Sequence, residues 1–213
     1  MNLRDEQLEL KDLNYPLYLC SAFASLSQQP VLQDLLSLSC HLTHSVTQPS
    51  EQILKAVRIQ WWTDCISEGQ RFNSPLSDRL LKSIENGQLD KQTILHIISK
   101  FQLAAFEDTP EEILEECWAD IFSYYYTLIG KTTPQILSFI QLLAKQVCSL
   151  LFFEKTTNYN VLKNELKRIS SKKNREGFLK ALCHLIQLSN RNKFRNFRLL
   201  PIRLFVHMMF GKI

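Results

Sequence analysis

The chain has 213 residues, 45% of them hydrophobic and 22% charged, with only 5 Gly and 7 Pro. That length suits a single domain (residues 1–213), the apolar content is ample for a core, and so few turn residues exclude a chain of many short strands. Net charge is +4, but residues 1–154 hold 11 Lys/Arg against 19 Asp/Glu, a net of −8, whereas residues 155–213 hold 14 against 2, a net of +12.

Leu and Ile recur at helical spacing without period-2 alternation, so the expected class is all-α, with helices packed antiparallel through short loops. Pro16 and Pro30 bracket a first helix, residues 18–27, and Pro30 opens a second over 31–44 with Leu32, Leu35, Leu36, Leu38 and Leu42 on its apolar face. Ser50 is the expected N-cap of a helix over 51–68 that Gly69 ends. Ser74-Pro75 opens a helix over 76–86 closed by Gly87, and Asp90 caps the next, to about Phe106. Pro110, Glu111 and Glu112 start a helix to Ile129 that stops at Gly130, since prolines and acids suit the first turn. Thr133-Pro134 starts an apolar helix to Phe153. Beyond it, residues 161–169 and 175–188 read as basic amphipathic helices, and residues 199–210 as a last apolar segment.

The chemistry-bearing residues are few. Six cysteines (20, 40, 65, 117, 148 and 183) stand at least 20 positions apart with no C-x-x-C, a pattern of buried thiols in a reducing compartment. His41 and His44 sit at i, i+3 without an acid or cysteine at ligand spacing, so no metal site is expected. Five glycines cannot build a P-loop or a dinucleotide fingerprint, and no nucleophile motif is present. Glu111, Glu112, Glu115, Glu116 and Asp120 read as a solvated helix face. The N-terminus is acidic, unlike a signal or transit peptide, and the most apolar run, residues 136–153, is broken by Gln141, Lys145 and Gln146. A soluble cytoplasmic protein is expected, with a surface peripheral to the inner membrane. Lys163, Lys167, Lys172, Lys173, Arg175, Arg191, Lys193, Arg195 and Arg198, interleaved with Phe178, Phe194 and Phe197, supply a basic surface for an anionic membrane or for the acidic part of the same chain. No nucleic-acid motif accompanies it.

The most distinctive stretch is Arg58-Ile59-Gln60-Trp61-Trp62-Thr63-Asp64. Adjacent tryptophans on a helix point about 100° apart and wedge against different neighbours, and Arg58 lies i, i+4 from Trp62, within stacking reach. Arg58, Trp61, Trp62 and Asp64 resemble the R-[LI]-x-W-W-x-[DE] signature of the squalene/phytoene synthase family, in particular its alphaproteobacterial branch and a mitochondrial complex I assembly factor. Tyr18-Leu19 through Pro30, Ser74-Pro75-Leu76 with Leu80-Leu81, Ile94 to Asp108, Tyr124 to Leu128 and Leu199-Leu200-Pro201-Ile202 are similar to further family segments.

The resemblance implies an isoprenoid synthase fold shortened in its C-terminal half, with prenyl lipid as a conceivable ligand. Family enzymes hold Mg²⁺ through two D-x-x-x-D motifs, because the hard cation bridges carboxylates to diphosphate oxygens. At the first expected position this chain reads LLSLSCHLTHSV (residues 35–46), and near the second, residues 136–155, its only acid is Glu154. The expectation is a non-catalytic relative that takes no cofactor and binds a protein partner or a membrane, as in respiratory-complex assembly. The alternative is a Mg²⁺-dependent prenyl diphosphate transferase.

Overall fold

A computed structural model of the chain describes residues 8–70, 74–130, 133–153, 161–162, 164–165 and 177–190. Nine helices are defined among them: α1 Leu8–Leu13, α2 Tyr15–Ser21, α3 Gln29–Thr47, α4 Gln52–Glu68, α5 Pro75–Glu85, α6 Lys91–Ala105, α7 Glu111–Leu128, α8 Pro134–Phe152 and α9 Gly177–Asn190. No strand occurs among the described residues, so the chain is all-α.

Local chemistry sets most boundaries. Ser74, Asp90 and Thr133 each accept a hydrogen bond at their N-cap from the backbone N–H three residues on, satisfying a donor the helix leaves orphaned. Gly69 ends α4 in the left-handed region, φ 69°, where a side chain is strained. Two starts differ from expectation. Asn14, not a residue after Pro16, caps α2, and Pro16 sits inside its first turn, where a missing N–H costs nothing. Glu51, rather than Ser50, occupies the N-cap of α4, without a side-chain bond. The helix expected to run to Ser27 stops at Ser21, whose hydroxyl donates back to Tyr18 O, while Gln29 Nε2 donates to the carbonyls of Ala22 and Ala24.

The core is organised around α3, which packs against α1, α2, α4, α5, α6 and α7. Such a helix is buried on nearly every side, and four of its hydroxyl residues are satisfied within the helix: Ser39, Thr43, Ser45 and Thr47 donate to the carbonyls four residues back. Cross-links fix the direction of its neighbours. Lys91 Nζ, at the start of α6, donates to Ser67 O at the end of α4. The Asp90 N–H donates to Tyr124 Oη near the end of α7. Ser149, late in α8, donates to Glu115, early in α7. Each pair packs along its length, so α4/α6, α6/α7 and α7/α8 are antiparallel.

Two sequence expectations are corrected here. The helix from Gly177 is not a basic amphipathic surface: Phe178, Leu179, Ala181, Leu182, Cys183, Leu185, Ile186 and Leu188 are all buried, and Phe178 packs edge-on against Phe122 and Tyr125. Among the described residues α8 is a helix long and apolar enough to cross a membrane by length and composition. In this fold, however, Ile136, Phe139, Ile140, Leu143, Ala144, Val147 and Cys148 are buried, and α8 packs against α7. All six cysteines are free and buried, one each on α2, α3, α4, α7, α8 and α9.

Candidate functional site

Two places invite a functional reading, the junction of α3, α7 and α8 and the cleft beside the double tryptophan. The junction is filled. Trp118 Nε1 on α7 donates to Thr43 Oγ1 on α3 at 3.0 Å, and both groups are buried. The Trp118 ring also packs on Phe122 at 5.9 Å and Phe152 at 5.2 Å, and Phe152 meets the edge of His44 at 5.9 Å. Aromatic pairs at these centroid separations hold one another as core. Burial beside His41 also lowers the pKa of His44.

The cleft lies where α1, α3 and α4 meet the start of α5, with a volume of about 380 Å³. Glu9, His41, Ser45, Val57, Arg58, Trp61, Trp62 and Ser74 line it. Helical geometry explains the two tryptophans: Trp62 shares the inward face of α4 with Ile59 and Ile66 and is buried, while Trp61 is turned toward the cleft and half-buried. Their rings meet edge to face at 4.7 Å, and the His41 ring stands 5.7 Å from that of Trp62. Arg58 is exposed and, among the described residues, makes no ion pair and no stack on Trp62. Asp64 does not line the cleft; it accepts a hydrogen bond from Gln60 Nε2 at 2.6 Å on the same helix. The structure thus brings Arg58, Trp61 and Trp62 together and leaves Asp64 apart. The basic residues Lys163, Lys167, Lys172, Lys173, Arg175, Arg191, Lys193, Arg195 and Arg198 all lie outside the described residues.

Behind the cleft runs a polar chain. Arg79 on α5 donates through Nε to Asp34 Oδ1 at 2.7 Å and through a terminal nitrogen to Glu9 Oε2 at 3.0 Å. His41 Nε2 is 3.0 Å from the other oxygen of Glu9. Partial burial works to raise the pKa of Glu9, but the hydrogen bonds and charges of His41 and Arg79 outweigh it and hold the carboxyl below its usual range. For Arg79, burial works downward and the two carboxylates outweigh it, so its pKa is raised. Glu9, Asp34 and Arg79 thus each have a charged or hydrogen-bonding partner, as half-buried charges require.

Glu9, Asp34 and Arg79 did not stand out in the sequence. Asp34 carried a usable signal, since a lone acid between Leu32 and Leu35 on an apolar helix needs a cation. Glu9 and Arg79 are 70 positions apart and carried none. The acidic residues of α7 are also less solvated than expected, because Glu115 accepts from Ser149 and Asp120 pairs with Lys100 of α6. No group of three or more His, Cys, Asp or Glu converges for a metal among the described residues.

Fold and site together define an all-helical domain with an aromatic-walled cleft backed by a neutralised polar chain. Comparison with known family models, with curated proteins and with solved structures gives no match.

Proposed function

We propose that the chain is a non-catalytic binding protein related to the squalene/phytoene synthases. It keeps a helical shell to hold a partner, either a protein or an anionic membrane surface, and respiratory-complex assembly is the most concrete form of this role. The observation that carries the reading is the state of the acids near the double tryptophan. Glu9 on α1 is engaged by Arg79 and His41, and Asp34 on α3 by Arg79. A carboxylate already bonded to a guanidinium is a poor Mg²⁺ ligand, because the cation must displace its partner. The LLSLSCHLTHSV segment of α3, where the resemblance calls for acids, contributes Thr43 and His44 to a packed aromatic junction instead. In this reading the protein is cytoplasmic and meets the inner membrane from its surface, through the basic residues of the C-terminal third.

The test is direct. Purified protein incubated with farnesyl or geranylgeranyl diphosphate should release no diphosphate, with or without Mg²⁺. Turnover that EDTA abolishes would establish the transferase alternative. The membrane arm is checked by co-sedimentation with anionic vesicles, where binding should weaken as salt rises, since exposed charges are screened within about 10 Å at 0.1 M salt.

A further inference from the structure

One end of the layer formed by α4, α6 and α7 leaves apolar side chains in water beside unpaired carboxylates. All three helices pack on α3, so their outer face is the one turned away from it. Val57 stands two positions from Ile59, Leu103 two from Phe101, and Glu112 two from Leu114, and those three neighbours are fully buried. Two steps turn a helix by about 200°, which points Val57, Leu103 and Glu112 outward together. Their level is shared as well. Lys91 on α6 bonds to Ser67 on α4, and 14 residues carry α4 back to Ile53 while 14 carry α6 on to Ala105. Lys100 pairs with Asp120, which sets Phe106 beside the first turn of α7.

The apolar part consists of Ile53 (76% exposed), Val57 (60%), Leu103 (63%) and Phe106 (54%). Apolar residues exposed singly are ordinary, but four on one face form a patch of the kind that marks an interaction site. Glu107, Asp108 and Glu112 border it on the α7 side, all exposed and without an ion pair among the described residues. The nearby cations are engaged or turned elsewhere. Lys100 is tied to Asp120 and also faces Glu116, and Arg58 lines the cleft. Lys55 lies two positions from both Ile53 and Val57, so it points to the opposite side of α4.

We infer that this surface docks a basic amphipathic helix of a protein partner, its apolar side on Ile53, Val57, Leu103 and Phe106 and its Lys or Arg side chains over Glu107, Asp108 and Glu112. Charge sets the occupant. An anionic membrane or a nucleic acid would bring like charge against three unpaired carboxylates. A second copy in two-fold contact would present the same acids where the surface calls for cations. A folded domain engages about 20 residues a side, whereas this smaller face matches the footprint of one helix. The surface is separate from the cleft of Trp61 and Trp62, and the inference stands whether or not the chain turns over prenyl diphosphates.

A labelled Leu/Lys peptide of about 18 residues, long enough to fold as an amphipathic helix, is the probe. Fluorescence anisotropy with the full chain should show saturable binding, one peptide per chain, that weakens as salt rises. The same peptide with Glu in place of Lys, or with Ala in place of Leu, should bind about tenfold more weakly or worse. Leu103→Asp should weaken the Leu/Lys peptide by a similar factor, and so should Glu107→Lys combined with Glu112→Lys. Asp12→Lys combined with Glu68→Lys changes the net charge equally at exposed positions elsewhere, and should leave binding intact. All the substituted positions are exposed, so melting curves should match the native protein and separate lost docking from lost fold. No binding of the Leu/Lys peptide, equal binding of the Glu peptide, or equal loss in the Asp12 and Glu68 variant would overturn the assignment. So would binding that survives the surface variants, or a concentration-dependent dimer that Leu103→Asp abolishes, since a second copy would then hold the surface.

Discussion

At the scale of single residues, Glu9 makes the network it forms with Asp34, His41 and Arg79 sensitive to pH. Glu9 is held below the usual carboxylate value in the folded chain, so its contribution is complete above that value and is lost as pH falls through the folded one. Arg79 keeps its charge throughout, so acid leaves the guanidinium with fewer carboxylate partners. Replacing Glu9 by Gln should therefore destabilise the protein at neutral pH, and the gap should close as pH falls from neutrality to well below the ordinary carboxylate value. Urea unfolding of both proteins across that range checks it. A gap that stays constant would mean that the Glu9 carboxylate holds no advantage in the folded state.

At the scale of elements, α4 is fastened to α3 by Trp62, which is buried and packs against His41 of α3 and its own neighbour Trp61. Truncating a buried tryptophan typically costs about 3–5 kcal/mol through lost burial and the cavity left behind. Trp62→Ala should cost that much in chemical denaturation, and Trp61→Ala clearly less, since Trp61 is only half-buried. Equal losses would mean that the two rings act as one block. Helices with caps written into their own turns were legible from the sequence: Ser74, Asp90, Thr133 and Gly69 each stop or start a helix by local bonding or a local backbone preference. The short α1 was not, because six residues make too few internal bonds to stand alone and its place is set by packing on α2 and α3. The site was half legible for the same reason. Trp61, Trp62 and Arg58 share one helix and one motif, whereas their polar backing is assembled from α1, α3 and α5. The buried fate of α9 was hidden by Lys180 and by the basic residues flanking it, which outweighed its apolar centre in a reading by composition.

At the scale of the whole molecule, α4, α6 and α7 surround the central α3 and α8 covers α7, so none of these helices can leave without uncovering α3 or one of its neighbours. The six free thiols are distributed over this arrangement, one to each of six helices, and burial suppresses their ionisation: the Cys117 and Cys183 thiols are pushed up to about 12, and the other four are also raised. Only the thiolate reacts rapidly with alkylating reagents, so a folded chain should resist modification at pH 8 and a denatured one should take up six groups. Helices open locally at different free energies, and each opening exposes its own sulfur. Brief alkylation followed by peptide mass analysis would then time the opening of α2, α3, α4, α7, α8 and α9 separately in the unaltered protein. The molecule carries its own set of clocks, one per helix, and α3 should be among the last to strike.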